Sequence, residues 1–212
     1  MCTSWRKPER MDTQVTTVTG RTAAYPIDPL FLERWSPRAF TGEAMPEADL
    51  MAMFEAAHWA PSSYNSQPWR FLYARRATEH WDRFLGLLNE YNQSWAYTAS
   101  ALVIIVSNML MMRSGATEPT PSPTYSFDAG AAWAMLALQA TYSGWQAHGM
   151  AGFDRERAFV ELNVPHGFSV EAAIAIGRVG DPTILPERLQ AREFPSHRHS
   201  LADLVLEGGF PG

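Results

Sequence analysis

Apolar residues change their period several times along the chain, and each change marks an element. Residues 1 to 26 are rich in Thr, Arg and other polar groups without a period, which predicts a flexible N-terminal arm. Pro29-Leu-Phe-Leu-Glu33 then reads as a short helix that delivers Arg34-Trp-Ser-Pro-Arg-Ala-Phe40 as a turn, because Pro37 blocks further helix. After Pro46, the residues Leu50, Met53, Phe54 and Ala57 recur at helical spacing until Pro61 stops the run. The polar stretch 61–68 is turn-forming, and Trp69-Arg-Phe-Leu-Tyr-Ala74 has the aromatic content of a strand. A helix is expected over 79–92, and the branched run Ala101-Leu-Val-Ile-Ile-Val106 predicts a buried strand over 101–107.

The second half repeats this alternation around one irregular insertion. Residues 113–125 are rich in Pro, Ser and Thr, which predicts a variable excursion with the character of a lid. Residues 128–147 are almost uncharged, so the helix expected there must be covered all round, by the chain's own sheet and by a second subunit. Short strands are expected at 149–153 and 170–176, with a capped helix at 154–162 between them. The order predicts an α/β (α+β) fold with a mixed sheet flanked by helices.

Composition narrows the function. The 212 residues, 46% hydrophobic, support one domain, taken as 27–212. A net charge of −5 with scattered basic residues gives no surface that would track phosphates, so nucleic acid is not an expected partner. The longest apolar run falls far short of the roughly 20 residues of a membrane helix. The charged start has no apolar stretch behind it, so a cytoplasmic protein is expected. Cys2 is the sole cysteine, which excludes an internal disulfide and a dithiol redox pair, and Lys7 is the sole lysine, which argues against Schiff-base chemistry. His197-x-His199 lacks a carboxylate ligand pattern, and no metal is expected. Difficult chemistry therefore requires a borrowed cofactor.

Two segments carry candidate chemistry. Arg34-x-Ser36-x-Arg38 places two guanidinium forks and a hydroxyl within one turn, a combination suited to phosphate oxygens. The loop Ser62-Ser-Tyr-Asn-Ser-Gln67 offers hydroxyls and amides that donate and accept, which suits the edge of a planar heterocycle. Together, Arg34-Trp-Ser-Pro-Arg-Ala-Phe40 and Ala60-Pro-Ser-Ser-Tyr-Asn-Ser-Gln-Pro-Trp-Arg-Phe71 resemble the two marker segments of the nitroreductase-like flavoproteins. Asp128-x-Gly130, Gly149-Met-Ala-Gly-Phe153, Ala175-Ile-Gly177 and Arg198-His-Ser-Leu201 extend the likeness over about residues 29–207.

The resemblance implies an intertwined homodimer with a mainly antiparallel sheet, flavin mononucleotide (FMN) as cofactor, and NADH or NADPH as donor. It places Arg34, Ser36 and Arg198 near the FMN phosphate, with Trp35 in the same turn. Arg38 and Asn65 fall toward the ribityl chain and the pyrimidine edge, the latter from the Pro61, Ser62, Ser63 and Gln67 loop. Arg38 is then the candidate cation for negative charge developing at N1 and O2 of the ring. The Met150-Ala151-Gly152 backbone is the candidate contact near the dimethylbenzene side and N5. The family supplies no obligatory acid or base, so no catalytic residue is assigned. The implied activity is transfer of reducing equivalents to a small electron-poor acceptor such as a nitroaromatic, quinone or enone. Reductive dehalogenation, flavin fragmentation and a non-catalytic flavin-binding module are the alternatives.

Overall fold

Branched and aromatic residues line up where the chain is extended, and the computed structural model, which describes residues 19–210, shows how they are used. In chain order, α1 is Leu30–Glu33, α2 is Glu47–His58, β1 is Trp69–Arg75, α3 is Trp81–Leu87, α4 is Glu90–Ala96 and β2 is Ala101–Asn108. There follow β3 (Leu110–Met111), β4 (Thr120–Pro121), α5 (Tyr125–Tyr142), β5 (Gln146–Met150), α6 (Arg155–Glu161), β6 (Phe168–Gly177) and α7 (Glu187–Gln190).

The main sheet has the order β1-β2-β6-β5, and each of its pairs is antiparallel. The antiparallel part of the expected mixed sheet thus accounts for all pairing in it among the described residues. Strand β2 is central and buried on both faces, which explains its unbroken apolar run. Leu102, Ile104 and Val106 face α3 and α4 with Trp81, Phe84 and Trp95. Ala101, Val103 and Ile105 face the other way, with Leu50 and Met53 of α2 and Leu136 and Ala140 of α5. Burying each isoleucine contributes about 1.5–3 kcal/mol to holding these layers together.

Two expected helices have different bounds. The run 79–92 is divided, because Leu88 bridges to Phe153 and Asn89 caps α4, its side chain accepting from the Asn92 N–H at 2.9 Å. The run 128–147 begins earlier, at Tyr125, and stops at Tyr142. Gly144 takes φ +77°, which turns the chain so that β5 starts at Gln146, ahead of the expected 149. The excursion is not featureless, since β3 and β4 close its base as a two-stranded ribbon. Residues 1–18 of the expected arm lie outside the described residues. Its remainder runs back over α1, with Thr19 Oγ1 donating to the Leu32 carbonyl at 3.0 Å.

Candidate functional site

The turn after α1 is built to expose guanidinium groups. Arg34 leaves the helix in an extended conformation, and its Nη1 donates to Ser36 Oγ at 3.3 Å. Arg21 crosses beneath, its Nη1 donating to the Leu32 and Arg34 carbonyls at 3.2 and 2.8 Å and its Nε to the Ser196 carbonyl at 3.0 Å. One side chain thereby joins the arm, the turn and the C-terminal segment. Arg198 is steadied by Ser196, whose hydroxyl accepts at 2.9 Å.

These groups wall a cavity of about 300 Å³ lined by Arg21, Arg34, Arg38, Arg192 and Arg198 together with Trp35, Ser36 and His148. Burial, then repulsion from Arg198, holds the pKa values of Arg21 and Arg34 below the ordinary arginine range. Cations that burial and their neighbours both penalise form a site that an anion would relieve. His148 is kept neutral mainly by burial, with its pKa lowered from 6.5 to about 4, while its Nδ1 is bonded to the Pro37 carbonyl at 2.8 Å. Its ring lies 4.7 Å from that of Trp95.

Arg38 differs from its neighbours. Glu193, with a side chain only 3% exposed, accepts from the Arg38 and Ala39 backbone N–H groups at 2.5 and 2.9 Å, and its Oε2 lies 3.6 Å from Arg38 Nη1. Arg38 Nε and Glu193 Oε2 are both buried without a hydrogen-bond partner among the described residues. The cation that sequence reading assigned to the ring is thus already paired with a carboxylate.

A second cavity, of about 610 Å³, shares Arg34 and Ser36 with the first and continues between α5 and the end of β5. Phe31, Trp133, Ala137 and Leu138 give it apolar walls, and Gly149, Met150 and Ala151 lie along the sheet. Gly152 lines neither cavity. Its carbonyl accepts from Asn89 N at 3.1 Å and Asn92 Nδ2 at 2.9 Å, and a Cβ there would fall 2.6 Å from Asn89 Nδ2. A Cβ at 152 would push aside the Asn89 and Asn92 side chains, which respectively cap α4 and bind the Gly152 carbonyl.

The 61–68 loop is elsewhere. Tyr64, Asn65 and Gln67 adopt φ of 53°, 53° and 46°, a left-handed conformation that only the asparagine tolerates well. The buried Asp128 at the start of α5 holds the loop, accepting from Ser63 N at 3.1 Å and Thr124 Oγ1 at 3.0 Å. Pro61, Ser62, Ser63, Asn65 and Gln67 line neither cavity of this chain. The structure therefore brings Arg34, Trp35, Ser36, Arg38 and Arg198 together, joins them through Arg34 and Ser36 to Met150 and Ala151, and leaves the loop apart. Sequence reading missed Arg21, Arg192, Glu193 and Glu171.

Comparison with known proteins identifies the family. Residues 32–178 match the model of the nitroreductase family. A crystal structure of an oxidoreductase containing FMN is 50% identical and superposes with a TM-score of 0.89, covering 93% of this chain and all (100%) of that one. A 15.4 kDa protein of Mycolicibacterium smegmatis, named as uncharacterised, is 34% identical over 148 residues, 66% of this chain and 95% of its own. A Streptomyces coelicolor protein, proposed to be an NADH dehydrogenase/NAD(P)H nitroreductase, is 33% identical over 76 residues, 36% of this chain and 37% of its own.

Proposed function

The chain belongs to the nitroreductase family, and from that premise we propose that it is an FMN-dependent oxidoreductase that passes reducing equivalents from NADH or NADPH to a small electron-poor acceptor such as a nitroaromatic, quinone or enone. The observation that carries this reading is the continuity of a cavity lined by five arginines with a larger apolar one through Arg34 and Ser36. A phosphate monoester on a flat heterocycle has that same division between a charged end and an apolar body.

The residues present fit FMN. Arg34, Ser36 and Arg198 hold the phosphate, with Arg192 adding charge and Trp35 a flat wall. Bound there, FMN supplies the hydride and electron chemistry that no side chain of this protein provides. Phe31, Trp133 and Leu138 exclude water from the larger cavity, and Met150 and Ala151 set its edge. The 61–68 loop completes the site from a second copy in an intertwined homodimer. Phe127, Ala134, Leu138 and Tyr142 form an outward stripe on α5, with Phe127 81% and Tyr142 76% exposed. Tyr142→Glu places a charge on that stripe away from both cavities and is expected to give a monomer in gel filtration with weakened FMN retention.

The decisive test is the visible absorption spectrum of the purified protein, before and after anaerobic addition of NADH or NADPH. A flavin spectrum that bleaches with either donor is expected. A colourless protein that fails to bind added FMN overturns the proposal.

A further inference from the structure

We infer that Glu171 is an acceptor-binding residue that selects substrates bearing a hydrogen-bond donor or a positive charge, an inference that rests on the reading of the site given above. Opposite β2, Ile105 pairs with Ala172 and Val106 with Val170, so Glu171 is the extra residue of a β-bulge. Bulges re-aim a side chain that regular pleating would send elsewhere. Here the side chain lines the larger cavity.

Two hydroxyls fix its carboxylate. Ser107, wholly buried on β2, donates to Oε1, and Ser126, in the first turn of α5, donates to Oε2 at 2.9 Å. Arg155 reaches only the backbone carbonyl of Glu171, at 3.2 Å, and among the described residues the carboxylate has no ion-pair partner. A carboxylate offers about four lone-pair positions, so two hydroxyls leave acceptor capacity facing the cavity. Arg34 is the cavity's other charged lining residue, and it is shared with the arginine cavity whereas Glu171 is not. The lining thus carries a cation on the side continuous with the phosphate site and a carboxylate on a wall of its own. A carboxylate set against a ring that gains negative charge opposes its reduction. Its favourable place is against the substrate, where an ammonium or hydroxyl meets it and a substrate carboxylate is repelled.

The experiment uses the FMN-loaded full chain with three acceptors of matched shape: 4-nitrobenzylamine, 4-nitrobenzyl alcohol and 4-nitrobenzoate. The expected order of kcat/KM is amine, alcohol, benzoate, with the amine ahead of the benzoate by at least about tenfold, carried by KM. Glu171→Gln is expected to bring the three within about threefold of one another, the change carried by KM, with FMN affinity unchanged. A binding readout without turnover is the quenching of tryptophan fluorescence by benzylamine, Trp133 lining the same cavity. It should weaken in Glu171→Gln and persist in protein stripped of FMN. Equal acceptor preferences in the two proteins overturn the inference, as does a variant that only melts earlier or only loses FMN. A protein that binds no FMN but still binds benzylamine through Glu171 sinks the proposed activity and keeps this site.

Discussion

The arginine cavity and the 61–68 loop are both recognisable from their residues, yet they are opposite kinds of construction. The cavity is gathered from positions 21, 34–38, 148 and 192–198, and within it Arg198 repels Arg34. The loop is one continuous stretch whose polar groups are largely satisfied internally, by Ser62, Asp128 and the Asn65 carbonyl. The first concentrates positive charge and suits an anion. The second is mostly paired but strained, with the Ser66 hydroxyl buried without a partner among the described residues, and its strained residues belong where another surface makes use of them.

Removing the charges of the first region gives the largest expected effect. Arg34→Ala combined with Arg198→Ala deletes two charge-assisted contacts, each contributing about 1.5–3 kcal/mol. FMN affinity should fall by about a hundredfold or more, with circular dichroism and the oligomeric state unchanged. Unaltered flavin occupancy would place the phosphate elsewhere and dissolve the contrast between the two regions.

The pH response of His148 sharpens the same contrast. Its folded pKa of about 4 lies below the ordinary 6.5, so the unfolded chain takes up a proton first as pH falls. The associated stability is present in full above pH 6.5 and is lost between pH 6.5 and 4, by about 3 kcal/mol in total. Urea unfolding at pH 7 and pH 4.5 should show this extra loss in the wild-type protein without cofactor and not in His148→Asn. Bound FMN should shrink it, because a phosphate dianion in the cavity wall draws the imidazole pKa upward. An equal loss with and without FMN would separate His148 from the anion site.

Much of this was legible in the sequence. Pro37, Pro46 and Pro61 punctuated the first half correctly, and the turn and loop motifs are compact enough to be read directly. Two helix bounds were misjudged because local signals were outweighed by periodicity. Asn89 is a cap with Asn92 three residues on, and Gly144 is a helix stop, but each sits inside an apolar pattern that runs past it. Arg21, Arg192 and Glu193 carry no motif, and their role exists only once the two ends of the described chain meet at Ser196. Glu171 could not be foreseen at all, since a bulge reverses the side that alternation along a strand assigns.

Asp128→Ala tests the loop alone. It strips the Ser63 N–H and the Thr124 hydroxyl of their acceptor in a buried setting, which costs about 1–3 kcal/mol. The melting temperature should drop, and proteolysis within 61–68 should accelerate. Binding of inorganic phosphate to the arginine cavity should be untouched, because the loop lines no part of it. A parallel loss of phosphate binding would show that the two regions are coupled within one chain.

The smallest effect is expected from Glu193→Gln, and its value lies in its sign. Glutamine keeps an oxygen for the Arg38 and Ala39 N–H groups, which hold the turn against the C-terminal segment, but it removes the charge 3.6 Å from the Arg38 guanidinium. Stability should fall by about 1 kcal/mol, since a largely buried cation loses its counter-charge in a wall that remains partly wet. Anion affinity should rise by a few-fold in the same protein, because Arg38 then adds its field to the cavity. Stability and phosphate binding moving in opposite directions would establish that Glu193 withholds Arg38 from the ligand. If both fell together, the carboxylate would be acting only as a brace, and the arginine cavity would owe its anion affinity to Arg34, Arg192 and Arg198 with no restraint from within.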